Sequence, residues 1–200
     1  MKHSGLIALA ASLIAGAANT SAQNAQPLTE TGQTVVDGRP TNYVIHHLPP
    51  NSFPDLPAII AEQLARRDCL IPQTYAAHRP ENVIHASLEH AGTSDWAVLC
   101  SAHGVVSLLV FFSSAPEKPI VLAIAPETAH LQPYGATTTL GFNWGIDAAS
   151  PAAVHQAQAG LARRPPAPDH DALADSVVDH QTVYHFFARE HWTLLDMPPD

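Results

Sequence analysis

Residues 82–112, with the sequence NVIHASLEHAGTSDWAVLCSAHGVVSLLVFF, decide the fold of this chain. They contain three apolar runs rich in Val, Ile, Leu and Phe, separated by turn-forming residues at 91–94 and 102–104. Apolar runs of strand length divided by glycine-containing turns are typical of a meander of antiparallel strands. The sequence therefore predicts strands at about 82–89, 95–101 and 105–113, which form the sheet and much of the core.

Shorter patterns surround this meander. Apolar residues at helical spacing between 55 and 67 predict one amphipathic helix, and Ser150 followed by Pro151 predicts the start of a second. Residues 177–188 and 191–195 predict a closing hairpin. We expect an α+β fold in residues 55–200: an antiparallel β-sheet, made of the meander and the C-terminal hairpin, with two amphipathic helices. Residues 23–54 are expected to form a loose N-terminal tail and a first strand.

The first 22 residues have the pattern of a secretory signal peptide. Lys2 and His3 precede an apolar stretch at 6–18, and small residues end the segment at Ala22. That order of basic, apolar and small residues is the export signature, with an N-terminal membrane anchor as the alternative. No other apolar run approaches the roughly 18 residues of a membrane span. The sequence thus predicts a periplasmic or secreted protein without a transmembrane segment in its mature part.

The charge of the chain limits its partners. A formal net charge of −9 disfavours nucleic acid and anionic membranes, because both repel an acidic surface. A cationic partner would suit this charge, although solubility alone explains it. The partner itself is not indicated, and an envelope protein or a small ligand is our expectation.

Cys69 and Cys100 are the two cysteines of the chain. In an exported protein an isolated pair predicts a disulfide, which here would join the end of the first helix to the central strand. The alternative is a catalytic thiol near His103. Closeness along a strand and turn is not a catalytic arrangement, and an oxidising compartment would trap both thiols, so we favour the disulfide.

Several short blocks together resemble a known family. They are 69–73 (CLIPQ), 82–84 (NVI), 95–101 (DWAVLCS), 146–151, 169–171 (DHD) and 183–185 (VYH) with Trp192. In this combination, over roughly residues 55–196, the chain resembles a family of exported bacterial proteins of unknown function. The resemblance implies export and one compact domain, and it brings no activity.

A local similarity concerns the acidic segment 169–175, DHDALAD. It resembles the D-x-D-G-x-x-D-like turns in single blades of FG-GAP-type calcium-binding repeats, with Ala172 in place of the glycine. Calcium takes six to eight oxygen ligands, often carboxylates at alternating positions of a tight loop. Asp169, Asp171 and Asp175 are therefore candidate calcium ligands, and apart from a calcium ion here no cofactor is expected. The alternative is that these residues cap a helical turn or remain solvated.

The other chemistry-bearing residues predict no catalytic site. The chain has 13 histidines, but no H-E-x-x-H motif, and the adjacent His46 and His47 point to opposite faces of a strand. There is no G-x-S-x-G nucleophile motif, no P-loop and no dinucleotide-binding glycine pattern. Trp144 and Tyr134 are candidates for a ligand surface, with burial in the core as the alternative. A non-catalytic binding or structural role in the cell envelope is favoured over a calcium-stabilised binding domain and over an envelope hydrolase.

Overall fold

The structure is a computed structural model that describes residues 28–136 and 138–198. Those residues form thirteen strands: β1 (Leu28–Val36), β2 (Arg39–Leu48), β3 (Ile71–Gln73), β4 (Val83–Ala86), β5 (Asp95–Ala102), β6 (Val105–Phe111), β7 (Ile120–Pro126), β8 (Leu131–Pro133), β9 (Leu140–Phe142), β10 (Trp144–Ala149), β11 (Ala172–Val177), β12 (Thr182–Ala188) and β13 (His191–Leu194). The same residues include two α-helices, α1 (Ala58–Ala65) and α2 (Pro151–Ala157). The predicted signal peptide, residues 1–22, lies outside the described residues.

The predicted α+β class is wrong. Strands hold 46% of the residues and helices 15%, so the protein is mostly β. Both helices end after about two turns, with 8 residues in α1 and 7 in α2. The chain turns back after α1 at Asp68, whose φ is 52°, and this shortens the helix that the apolar spacing predicted. The strands also divide into three sheets instead of one.

The strands predicted between 82 and 112 are present and belong to the first of two meanders, β4-β5-β6-β7. His103 and Gly104 form the tight turn between β5 and β6, with φ values of 52° and 77°. Two-residue hairpin turns need such positive φ values, and Gly104 adopts one without strain. Residues 95–101 of β5 are all buried, because both faces of this sheet are covered.

The second meander is β10-β11-β12-β13, and its last hairpin turns at Arg189 and Glu190 as predicted. Its inner face packs on the first meander through a shared core that includes Trp144, Ile146 and Leu173. Its outer face is covered by α2 through Val154. The two meanders therefore form a sandwich, and α1 covers the far side of the first meander.

The third sheet corrects the predicted N-terminal tail. Residues 28–36 form β1, which pairs with β2 over its full length. The turn between them is Asp37-Gly38, with φ values of 50° and 76°, and Asp-Gly is a strong hairpin signal. A parallel pairing of Tyr43 and Val44 in β2 with β9 ties this hairpin to the rest of the protein. The sequence does not indicate a strand at 28–36 by apolar alternation, because β1 is polar and largely exposed.

Candidate functional site

The predicted disulfide is confirmed. Cys69 and Cys100 are bonded, with their Cα atoms 5.3 Å apart. The bond fixes the residue that follows α1 to the middle of β5, inside the apolar cluster between the helix and the sheet. It therefore holds the α1 layer against the sheet, and with it the loop that precedes the helix.

The acidic residues of segment 169–175 are not brought together. Asp169 contacts His170, with 2.7 Å between Oδ1 and Nδ1, and Asp171 accepts a hydrogen bond from the Ser87 N–H. Asp175 lies in β11 and is bonded to groups of the other strands of its sheet. Asp171 precedes β11 and Asp175 lies four positions further along the extended chain, which places their Cα atoms about 13 Å apart. Each of the three carboxylates is thus engaged by a different partner. The calcium site stays a prediction.

Trp144 is in the core and is not an exposed aromatic residue. It is only 3% exposed; its indole N–H donates to Asp175 at 2.6 Å, and the ring of His130 stacks on it with centroids 4.2 Å apart. Burial lowers the pKa of His130, against the opposing attraction of Asp175, so its neutral form is favoured. Tyr134, the other predicted ligand-surface residue, is half-buried and stacks on Tyr75.

A cleft beside α1, which we call the α1 cleft, is the clearest candidate site. Its volume is about 640 Å³, and it is lined by residues 52–57, Pro80, Val83, His85, Ser94 and Trp96. Cavities of about 300–1,000 Å³ with mostly apolar walls and a few polar groups are typical of small-molecule sites. One wall is the proline-rich loop before α1, and the opposite wall is formed by β4, β5 and the turn between them.

Three side chains define the polar wall of the cleft. The ring of His85 lies on the ring of Trp96, with centroids 4.7 Å apart and an interplanar angle of 18°. His85 Nε2 is 2.7 Å from Ser94 Oγ. His85 and Trp96 face each other across β4 and β5 in the register of the sheet. The pleat thus places a flat ring on this wall, with a hydroxyl at its edge.

The turn that carries Ser94 is fixed by the next residue, Asp95. This fully buried carboxylate accepts hydrogen bonds from the backbone N–H groups of Leu88, Glu89 and Ser113, and from the Thr93 hydroxyl. Burial by itself would raise the pKa of Asp95, but these hydrogen bonds outweigh it and hold the pKa below its usual value. The Ser94 side of the cleft is therefore built on a rigid turn.

The sequence did not indicate this cleft. Trp96 and His85 lie on strands of the predicted meander, and no sequence motif marks either of them as a site residue. The cleft exists because the loop before α1 packs beside β4 and β5, which is a tertiary contact. The available signal is the group of prolines at 49, 50, 54 and 57, which indicates a turn region and not a binding wall.

Comparisons with protein-family models, with curated proteins and with solved structures found no match. The resemblance to exported bacterial proteins and to FG-GAP-type blades therefore stays a prediction. Neither helix in residues 28–136 and 138–198 is long and apolar enough to cross a membrane.

Proposed function

We propose that this protein is an exported, non-catalytic binding protein of the cell envelope, and that it holds a small ligand with an apolar or aromatic ring in the α1 cleft. The α1 cleft is the observation that carries the proposal. Its prolines have fixed φ angles, and its far wall is a paired sheet held by Asp95. A cavity with such walls is formed before the ligand arrives, which lowers the entropy cost of binding.

The chemistry of the walls supports this ligand class. Phe53, Leu56, Pro80 and Val83 give apolar surface, and the exposed His85 ring gives a flat face on which a second ring would stack. The polar groups are few. Ser52 lines the cleft, and its Oγ is buried without a protein hydrogen-bond partner.

Export is supported by two independent features. The disulfide between Cys69 and Cys100 persists in oxidising compartments and is rare in the cytoplasm. Residues 1–22 have the order of regions found in signal peptides. The full chain, expressed in a bacterial host and recovered from the periplasm, should have the mass of a protein that begins at Gln23. An uncleaved chain retained in the cytoplasm would contradict export.

The ligand site is tested with 1-anilinonaphthalene-8-sulfonate, a fluorescent probe that carries apolar rings. We expect saturable binding to the folded wild type, and weaker binding to His85→Ala because the stacking face is lost. The matched control is His103→Ala, which removes an exposed histidine at the β5–β6 turn, away from the cleft. Absence of saturable binding, or equal losses in the two variants, would contradict the proposal. A pull-down from the native envelope then identifies natural ligands or partners.

A second candidate function is hydrolysis, because the cleft places a histidine and a serine within hydrogen-bond distance. The contact between His85 Nε2 and Ser94 Oγ is the arrangement that a nucleophile and its base require. In the described part of the chain, no carboxylate is bonded to the other nitrogen of His85, so a complete triad is not formed. Ester hydrolysis by the wild type that disappears in Ser94→Ala would establish this alternative in place of pure binding.

A further inference from the structure

A second cluster of polar side chains lies away from the α1 cleft and is not used by the proposed function. His47 of β2 and Glu127, which follows β7, are 3% and 2% exposed. His47 Nε2 is 2.6 Å from Glu127 Oε1. Glu30 of β1 completes the group, and one ligand atom from each of the three residues lies within 4.8 Å of the others. Buried groups of this kind are uncommon in a protein interior and need an explanation.

The fold builds this cluster from three separate segments. β1 and β2 pair so that Glu30 lies opposite Ile45 and His47 opposite Leu28, which puts both side chains on the same face of the hairpin. His46, the neighbour of His47, points to the other face and contacts Thr29. The backbone N–H of Glu127 donates to the Gly104 carbonyl at 2.9 Å, which fixes Glu127 from the side of the first meander.

Glu30 is positioned by the side chain of Tyr43 on the neighbouring strand β2. The Tyr43 hydroxyl donates to Glu30 Oε1 at 3.1 Å. The Tyr43 ring crosses β1 at Gly32, where a Cβ atom would stand 2.5 Å from the ring, so only glycine leaves room for it. The hydrogen bond from Tyr43 orients the exposed Glu30 carboxylate toward the buried pair.

We infer that Glu30, His47 and Glu127 form a binding site for a divalent transition-metal ion of the zinc class. One imidazole nitrogen and two carboxylates are ligands that Zn²⁺ accepts, and three protein ligands leave a position open for water or another group. Calcium prefers oxygen ligands alone, so the histidine favours a transition metal. A dication also balances the two carboxylate charges, one of which is buried.

The distances between the ligand atoms allow a zinc ion to bind with side-chain movement only. Ligand atoms about 2.1 Å from a tetrahedral zinc ion lie about 3.4 Å from each other. His47 and Glu127 therefore separate by less than an ångström from their present contact of 2.6 Å. Without a metal, the same two residues form a direct hydrogen-bonded pair. Glu30 distinguishes a metal site from a simple hydrogen-bonded pair, because the pair of His47 and Glu127 does not need Glu30.

The experiment uses the untagged full mature chain, freed of metal with a chelator and then dialysed. Isothermal titration with ZnCl₂ should show one saturable site, and Co²⁺ should give visible absorption bands typical of protein ligands. Glu30→Gln replaces the charged carboxylate with a neutral amide, which is a poor zinc ligand, and leaves the buried pair intact, so the variant should retain the wild-type circular dichroism spectrum. Loss of even an outer-shell partner weakens metal sites about 10- to 100-fold, so this variant should bind at least about 10-fold more weakly.

Glu62→Gln is the matched control, because it makes the same change at an exposed glutamate of α1. Its zinc affinity should equal that of the wild type. Equal affinities of Glu30→Gln and wild type would overturn the inference, as would the absence of one-to-one binding or a higher affinity for Ca²⁺ than for Zn²⁺. Such results would leave His47 and Glu127 as a structural pair.

Discussion

Replacement of Asp95 by asparagine should be the most damaging near-isosteric change in the first meander. The carboxylate accepts three backbone N–H groups and one hydroxyl, three of them at Oδ2 and one at Oδ1. An asparagine has one oxygen, so its amide NH₂ must face donors on one side. If the oxygen replaces Oδ2, the Ser113 N–H loses its acceptor and meets another donor.

The expected loss in the free energy of unfolding follows from the hydrogen bonds that the substitution weakens or removes. A hydrogen bond to a charged group contributes about 1.5–3 kcal/mol and a neutral one about 1 kcal/mol, while a buried unpaired donor costs about 1–3 kcal/mol. Three bonds weakened by roughly 0.5–1 kcal/mol each, and one donor left unpaired, give a loss of about 4 kcal/mol in the free energy of unfolding. For a domain of this size that loss corresponds to a melting temperature lower by roughly 8–16 °C.

Two features of the assay isolate Asp95. Urea unfolding of the wild type and D95N is compared with Asp55→Asn, which makes the same chemical change at an exposed residue and should have little effect. The low folded pKa of Asp95 means that its stabilisation is complete above its usual pKa of 3.8 and is lost as the pH falls further. The difference between wild type and D95N should therefore shrink below about pH 4. A loss under about 1 kcal/mol, or a difference that grows in acid, would refute the reasoning.

Three other substitutions test the disulfide, the buried hydrogen bonds of Asn82 and the buried ring of His130. Replacing Cys69 and Cys100 together by alanine opens a loop with a sequence separation of 31 residues, and should lower the urea-unfolding free energy by about 4 kcal/mol; an unchanged midpoint would contradict it. Asn82→Ala removes three buried hydrogen bonds of a residue with a φ of 67° and should cost about 3 kcal/mol, measured in the same way. Because burial lowers the pKa of His130, the wild type should lose stability as the pH falls below about 6.5. His130→Phe keeps a ring on Trp144 and should make urea midpoints at pH 7.5 and 5.5 more alike; an undiminished difference would exclude His130 as the cause.

The parts of the fold that local patterns determine were predictable. The strands of the first meander alternate with strong turn residues, and His103-Gly104 and Arg189-Glu190 are turns where they were expected. The disulfide followed from the number of cysteines and the expected compartment. These features depend on residues that are close in sequence or on one pair, so a single sequence contains enough information to place them.

The errors arise where a strand or helix lacks a distinct apolar pattern and where contacts join residues far apart in sequence. β1 lacks an apolar pattern, and its pairing with β2 is set by the Asp37-Gly38 turn. The parallel pairing of β2 with β9 joins residues almost a hundred positions apart, and no local pattern indicates it. The first helix is shorter than the predicted span of 55–67, because α1 begins only after Pro57 and ends at Ala65, before Asp68 redirects the chain.

His46 and His47 show how a correct local prediction can still miss a site. Adjacent residues of a strand point to opposite faces, so the pair cannot bind one metal ion together. The same rule sends His47 inward, where Glu127 lies 80 positions away in sequence and 2.6 Å away in space. Spacing rules for metal ligands detect sites built within one helix or hairpin. Glu30, His47 and Glu127 come from two paired strands and a segment about 80 residues later, so no spacing rule connects them and only the tertiary structure brings them together.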